Sequence, residues 1–300
     1  MNVERLSLDQ MRVLALVAET GSFSAAAKRL RRVQSAVSYA ITTLEQQLEL
    51  EVFDRQAYRP RLTPAGAVLL EDVKAILART DELYARARAL SAGLEPELSI
   101  TVEVLFPIEA MAAILRDFRS TFPTVRLRLY AEALGAVAAR VREGSSILGV
   151  AAANMVPPGM PTIGLAHVTL IPVAAPTHPL AGRPGVIPGS ELRDHVQLVL
   201  TDRSNLSEGR DFDVYSANTW RIADLGTKHA LLLAGLGFGT MPKAAVRSDI
   251  EAGRLKRIAL EPHPPDGDPL EMVCVHRADQ AIGPAGRWLI DRLRELRSLD

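Results

Sequence analysis

Of the 19 prolines in this 300-residue chain, only Pro60 and Pro64 fall among the first ninety residues. Proline removes a backbone donor and breaks helix interiors, so the first ninety residues can run as helices almost without interruption. The remainder is cut into short pieces, in which apolar strand-like runs alternate with helical segments. That contrast imposes a small helical module joined to an α/β body, in a chain long enough for two or three separate cores.

In the first part, Leu8, Met11, Leu14, Val17 and Ala18 recur at helical spacing, and Thr20-Gly21 marks the helix end. Ser22 is an N-cap for a second short helix, FSAAAKRL, whose alanines permit close packing. A break at Arg31-Arg32-Val33 precedes a third helix, QSAVSYAITTLE. EVFDRQAYRPRLTPAG reads as two short strands around a turn, and Thr63-Pro64 as the cap and first residue of a long helix. On that helix Leu69, Val73, Ile76, Thr80, Leu83, Ala87 and Leu90 are spaced alternately four and three, a coiled-coil seam that asks for a partner helix.

Beyond Glu95-Pro96, LSITVEV, VRLRLY and SILGVAAA read as strands, separated by the helices PIEAMAAILRDFRSTFP and EALGAVAARVREG. A second series follows HVTLIPVAA. Its strands are VQLVLT, FGTMP, LKRIAL and LEMVCVHR; its helices are ADLGTKHALLLAGLG, KAAVRSDIEAG and the terminal GPAGRWLIDRLRELRSL. Two such series predict two α/β subdomains with a ligand cleft at their junction.

On a helical wheel of the third helix, Val37, Ile41, Leu44 and Leu48 share a narrow arc, while Ser35, Ser38, Tyr39, Thr42 and Gln46 fall opposite. Hydroxyls and amides can hydrogen-bond base edges or phosphate oxygens, so this face suits a DNA groove. Gln34 lies at the N-terminal end, which meets base edges in helix-turn-helix docking. Lys28, Arg29, Arg31 and Arg32 concentrate positive charge beside it, and Arg59 and Arg61 repeat it on the hairpin. Taken singly, a polar face is usually just solvated and a basic cluster usually surface; the order helix, short helix, turn, helix, two-stranded wing, long helix is far more restrictive. The balance of 35 basic and 35 acidic residues leaves only such local patches to speak for a polyanionic partner.

GSFSAAAKRL, QSAVSYAITTLE, VFDR and RPRLTPAG resemble the winged helix-turn-helix of LysR-type transcriptional regulators, and FPTVRLRL, THPLAG and AGLGFGTMP resemble that family's effector-binding body. The resemblance covers essentially the whole chain and is most specific over the first 66 residues. It implies an α/β protein with an N-terminal all-α winged helix-turn-helix domain at 1–66 and a linker and dimerisation helix at 67–94. The effector body at 95–300 would hold two Rossmann-like, periplasmic-binding-protein-like subdomains, one at about 95–165 and 270–300, the other at about 166–269. It implies double-stranded promoter DNA and a small-molecule effector as partners, and a homodimer through the linker helix that assembles further into a homotetramer. By motif position it places Gln34, Ser35, Ser38 and Tyr39 on the recognition helix and Arg59 and Arg61 on the wing; with Ser22, Arg31, Arg32 and Thr42 these are the residues expected against DNA. Two positions depart from the family. Val33 stands where a capping Ser or Thr is common, and Tyr39 where a basic residue or histidine is frequent. Ile147 is a third, in place of an acidic residue.

By the same fold analogy the effector site draws on strand ends and helix N-termini. Those are Glu103, Leu105 and Phe106; Thr201, Asp202, Arg203 and Ser204; Trp220, Asp224 and Lys228; and Thr240 and Met241. Helix N-termini would favour an anionic group on the ligand, and Glu103 would oppose one.

Enzyme, cofactor and metal readings find little support. The six histidines (His167, His178, His195, His229, His263, His276) show no metal-ligand spacing, and His178 reads as structural. Gly235, Gly237 and Gly239 in AGLGFG follow a helix and precede a strand, the reverse of a dinucleotide loop. No serine nucleophile elbow is present. The single cysteine, Cys274, lies in an apolar run, excludes an internal disulfide and fits a reducing compartment. The initial apolar stretch is interrupted by charge, and no uninterrupted apolar run reaches membrane-crossing length, so a cytoplasmic, soluble protein is expected. The alternatives to a ligand-responsive regulator are a DNA-binding regulator with a ligand-independent body, and an α/β small-molecule-binding protein or enzyme.

Overall fold

The structure, a computed structural model, describes residues 6–54, 60–204, 206, 210, 212–296 and 299. It divides into two compact units, Met1–Ala89 and Leu90–Asp300.

In the first unit, helix α1 (Leu8–Thr20) opens on a capping box. The Ser7 hydroxyl accepts the Gln10 amide N–H, and the Gln10 side chain accepts the Ser7 N–H. It ends at Gly21, whose φ of +61° suits the left-handed C-terminal position. Ser22 caps α2 (Phe23–Leu30) by accepting the Ala25 N–H. Helix α3 spans Gln34–Leu48. The core beneath joins Val13, Leu14 and Val17 of α1, Ala26 and Ala27 of α2, and Val37, Ile41 and Leu44 of α3. Each large aliphatic group buried there contributes about 1.5–3 kcal/mol.

The expected hairpin reduces, among the described residues, to one antiparallel bridge between Phe53 and Leu62. Helix α4 (Pro64–Ser91) begins where Thr63 Oγ1 accepts the Gly66 N–H. A Cβ at Gly66 would lie 2.1 Å from the Val52 carbonyl oxygen, so only glycine lets the helix approach this closely.

In the second unit, β1 (Glu97–Glu103), α5 (Ile108–Thr121), β2 (Arg126–Glu132), α6 (Gly135–Arg142) and β3 (Leu148–Ala152) form the first series. The long strand β4 (Thr162–Ala174) leads to the second: β5 (Val186–Ile187), α7 (Gly189–Leu192), β6 (Gln197–Leu200) and β7 (Thr219–Ile222). There follow α8 (Leu225–Leu233), β8 (Phe238–Pro242), α9 (Lys243–Glu251), β9 (Lys256–Arg257) and β10 (Ala259–Leu260). Then β11 (Asp268–His276) and α10 (Pro284–Arg294) close the body.

The strands hydrogen-bond in the order β2-β1-β3-β11-β4-β8-β6-β7. Strand β4 therefore belongs to both halves. The first part of β4 pairs with β11 over one core, containing Leu98, Ile100, Met111 and Leu289, and its last residues pair with β8 over another, containing Val173, Leu198, Leu232 and Val246. Sequence reading made LKRIAL one strand, but it splits into β9 and β10, which join different neighbours. It also passed over β7, whose TWRI alternates polar and apolar residues but over only four positions, and which pairs with β6 among the described residues.

The glycines of AGLGFG serve packing. Gly235 ends α8 with φ +75°, and a Cβ on Gly237 or Gly239 would come within 2.6 Å of the Val196 or Leu198 carbonyl oxygen. Among the described residues no helix is long and apolar enough to cross a membrane.

Candidate functional site

Two places in the structure gather the residues singled out above. The first is the outer face of α3. Val37, Ile41 and Leu44 are buried, while Gln34, Ser35, Tyr39, Thr42 and Gln46 are exposed and Ser38 is half-buried. Tyr39, at 74% exposure, has no core role that would account for it. The helix begins without a hydroxyl cap. Val33 occupies the capping position at φ −79° and ψ 148°, makes no side-chain hydrogen bond there and is 67% exposed. Among the described residues no side-chain hydrogen bond from Ser35 takes its place.

The basic cluster beside α3 is less uniform than its sequence suggests. Arg32 forms a two-pronged pair with Asp9 of α1 at 2.7 and 2.8 Å, which holds the Asp9 carboxyl below its usual range. Arg29 pairs with Glu19 at 2.6 Å. Arg31 ends α2 in the left-handed conformation, φ +55°, and is exposed. On the hairpin, Arg61 is exposed and its carbonyl accepts the Asp54 N–H; Arg59 lies outside the described residues.

Sequence reasoning missed Glu45, a buried acid on the inner side of α3. Its Oε1 accepts the N–H groups of Val52 and Phe53 at 2.8 and 3.1 Å, which fixes where the wing leaves the helix. Only its position, one residue after core Leu44, could have marked it.

Along α4, Leu70 and Val73 pack into the core, but Val68, Ile76, Leu83, Tyr84 and Leu90 stand exposed. Ala75, Ile76, Arg79, Thr80 and Leu83 line a shallow groove on this surface.

The second place is a cavity of about 320 Å³ inside the body, between its two cores. From the predicted set, Leu105, Lys228 and Thr240 line it. Phe106 and Met241 are packed into the cores on either side. Asp224 is spent as the N-cap of α8, accepting the Thr227 N–H at 2.6 Å. Trp220 projects from edge strand β7 and is 44% exposed. Thr201 continues the β6–β7 pairing by donating its N–H to the Ile222 carbonyl. Ser204 donates to Asp202 beside Gly135, and Arg203 is exposed.

Glu103 sits behind the wall. Its Oε2 accepts the Leu134 N–H at 2.7 Å, while Oε1 has no hydrogen-bond partner among the described residues. Burial pushes the carboxyl up to about 8, so it is largely uncharged at neutral pH. The bond it makes fixes the Leu134 N–H at a backbone turn with φ +53° and ψ −129°.

Lys228 is only 4% exposed. Its aliphatic stem lies along β8, with Cε 3.2 Å from where a Gly239 Cβ would be, and its ammonium donates to the Thr240 carbonyl at 2.7 Å. Burial pushes the ammonium down to about 8. Sequence reading did not find Asn154, Gln197, Asp213 or Asp268, which also line the cavity. The Gln197 carboxamide donates to the Asp213 carbonyl and accepts the Tyr215 and Ser216 N–H groups, pinning the loop that carries Asp213. Cys274 is buried, and its thiol is pushed up to about 12, which suppresses thiolate chemistry. His178 caps the short turn after it by accepting the Leu180 N–H. Among the described residues no group of three or more His, Cys, Asp or Glu could hold a metal ion.

Residues 8–67 match the family model described as a bacterial regulatory helix-turn-helix protein, lysR family, and residues 91–298 match the one described as the LysR substrate binding domain. Among curated proteins, the chain is 28% identical to the probable HTH-type transcriptional regulator YhaJ of Escherichia coli, over 97% of each chain. It is 29% identical to the HTH-type transcriptional regulator AceR of Acinetobacter baumannii, over 97% of this chain and 98% of that protein. Among solved structures, an OxyR mutant from Corynebacterium glutamicum superposes with a TM-score of 0.55 at 24% identity, covering 98% of this chain and 94% of that one. CrgA, a LysR-type transcriptional regulator from Neisseria meningitidis, does so with a TM-score of 0.53 at 22% identity, over 97% and 99%. These two likenesses concern the fold.

Proposed function

We infer how this chain works from a fixed premise: it belongs to the LysR family of bacterial regulators. It is a DNA-binding transcriptional regulator with a substrate-binding body, and its relatives are regulators rather than enzymes. In our reading residues 1–66 dock on promoter DNA, 67–94 join two copies, and 95–300 carry the effector site in the cavity between subdomains at about 95–165 with 270–300 and about 166–269.

The observation that carries the DNA reading is the split of α3 into a buried Val37-Ile41-Leu44 side and an exposed side of hydroxyls, amides and a tyrosine. In the major groove Gln34, Ser35, Ser38, Tyr39 and Thr42 would read base edges, while Ser22, Arg31 and Arg61 hold phosphates. Arg32 and Arg59 complete the set assigned to DNA. The exposed seam of α4 supports a dimer through a second copy of that helix, because Ile76, Leu83 and Leu90 otherwise face water. A tetramer follows if the bodies pair as well.

The test starts from selection of bound duplexes out of a random-sequence pool, followed by footprinting and salt titration. A recurring imperfect palindrome, protected over more than one half-site and lost with rising salt, is the expected result. Gln34→Ala should relax base preference, whereas Arg61→Ala should weaken all sequences alike and reduce the salt slope by about one. Enrichment of no sequence would overturn the reading.

A further inference from the structure

The wall of the cavity carries charges of both signs. It includes the Lys228 ammonium, buried among β8 and β6 residues and hydrogen-bonded, among the described residues, to the Thr240 carbonyl alone. An ammonium has three donors, so two remain for a ligand. The wall also includes Asp213 and Asp268, both close enough to the Tyr215 hydroxyl to act on it, with Tyr215 donating to Asp213 Oδ1 at 3.1 Å. Lys228 and Asp213 feel each other electrostatically, yet no ion pair joins them among the described residues. Arg210, at the exposed edge, is occupied with the Asn154 carbonyl and the Phe212 ring. Leu105, Leu134, Leu170 and Leu270 are among the apolar residues that make up the rest of the wall.

A purely anionic ligand in this space would satisfy Lys228 but face two carboxylates. A purely cationic one would satisfy the aspartates but approach a buried ammonium. Like charges at close quarters discriminate strongly against both. We propose that the cavity takes a small zwitterion, an amino acid or related aminocarboxylate with an apolar side chain, its carboxylate on Lys228 and its ammonium between Asp213 and Asp268. This rests on the reading of the cavity as the effector site and departs from the anion alone that helix N-termini would suggest.

Calorimetry and thermal shift on the full chain, with four probes of matched length, decide it: norleucine, 6-aminohexanoate, hexanoate and hexylamine. One of the two zwitterions is expected to bind at least about tenfold more tightly than either singly charged probe. Lys228→Met should cost that zwitterion about tenfold while leaving hexylamine no weaker. Asp213→Asn, chosen because asparagine tolerates the φ of +53° found there, should weaken the zwitterion and spare hexanoate.

Hexanoate or hexylamine binding as tightly as the better zwitterion, or no zwitterion binding, would overturn the proposal. The underlying reading is tested separately by Leu200→Trp, which narrows the cavity with a bulkier ring. If that variant alters the footprint on the selected DNA or its effector response while the zwitterions fail, the ligand class is wrong and the cavity reading stands. If narrowing the cavity changes neither, the cavity reading itself falls.

Discussion

Glu103 makes the stability of the body depend on pH in a direction opposite to that of an ordinary salt-bridged acid. Its carboxyl ionises at about 8 in the folded chain, against an ordinary value of 4.5, because burial penalises the charged form more than the Leu134 N–H and its neighbours favour it. Below both values the group is neutral in the folded and unfolded chains and costs nothing. As pH rises past 4.5 the unfolded chain ionises first, releasing its proton where the folded chain cannot, so unfolding becomes easier until pH passes about 8. At about 1.4 kcal/mol for each tenfold change in proton affinity, the whole interval is worth about 5 kcal/mol, of which about 3 has gone by pH 7.

Glu103→Gln keeps an oxygen for the Leu134 N–H and cannot ionise. The stability difference between variant and wild type should therefore widen in the variant's favour by about 3 kcal/mol between pH 4.5 and pH 7. Denaturant unfolding followed by tryptophan fluorescence reads this for the body alone, since both tryptophans, Trp220 and Trp288, lie in it. Other acids titrate in the same range, but they are common to both proteins and drop out of the difference. A difference that stays constant from pH 4.5 to 8, or narrows, would refute the reasoning.

Three further outcomes follow from local geometry. Val33→Ser places a hydroxyl where α3 has no cap and should stabilise the first unit by about 1 kcal/mol, with slower amide exchange at Ser35 to Val37. Gly66→Ala puts a methyl 2.1 Å from the Val52 oxygen and should destabilise the same unit by about 1–3 kcal/mol in thermal or urea melts, loosening the wing from α4. Leu83→Glu sets a charge on the exposed seam of α4; sedimentation should show the assembly shifted toward monomer and DNA affinity reduced, while the circular dichroism of the chain stays unchanged.

What could be read from sequence was whatever depends on spacing along one element. The buried and exposed sides of α3 follow from Val37, Ile41 and Leu44 recurring at helical intervals, and Ser22, Thr63 and Gly21 announce their turns by residue type alone. The cavity could be anticipated only in part, because Leu105, Asp213, Lys228 and Asp268 come from four separate segments that sheet order alone brings together. Lys228 and Thr240 were found because they sit on the first turns of a helix and near a strand end, the positions a cleft uses. Asp213 lies in an irregular loop and Asp268 at the start of a strand read as beginning two residues later, so neither had a pattern to expose it.

Charge near α3 shows the same limit with a functional consequence. Counting gives four cations at Lys28, Arg29, Arg31 and Arg32, but Arg29 and Arg32 meet Glu19 and Asp9 from ten and 23 positions away. Exposed pairs of this kind are worth about 0–1 kcal/mol, too little to keep either arginine from a phosphate if one came within reach. They matter through what stays behind: a phosphate taken by Arg32 must sit near the Asp9 carboxylate, which is charged at neutral pH with or without its partner. Salt dependence should therefore track Lys28, Arg31 and Arg61 more closely than the whole cluster. Asp9→Asn should increase affinity for all sequences while leaving base preference where Gln34 and its neighbours set it, which salt titration of both proteins on the same selected duplex will measure. A loss of affinity would mean that the pair orients Arg32 for DNA rather than competing with it.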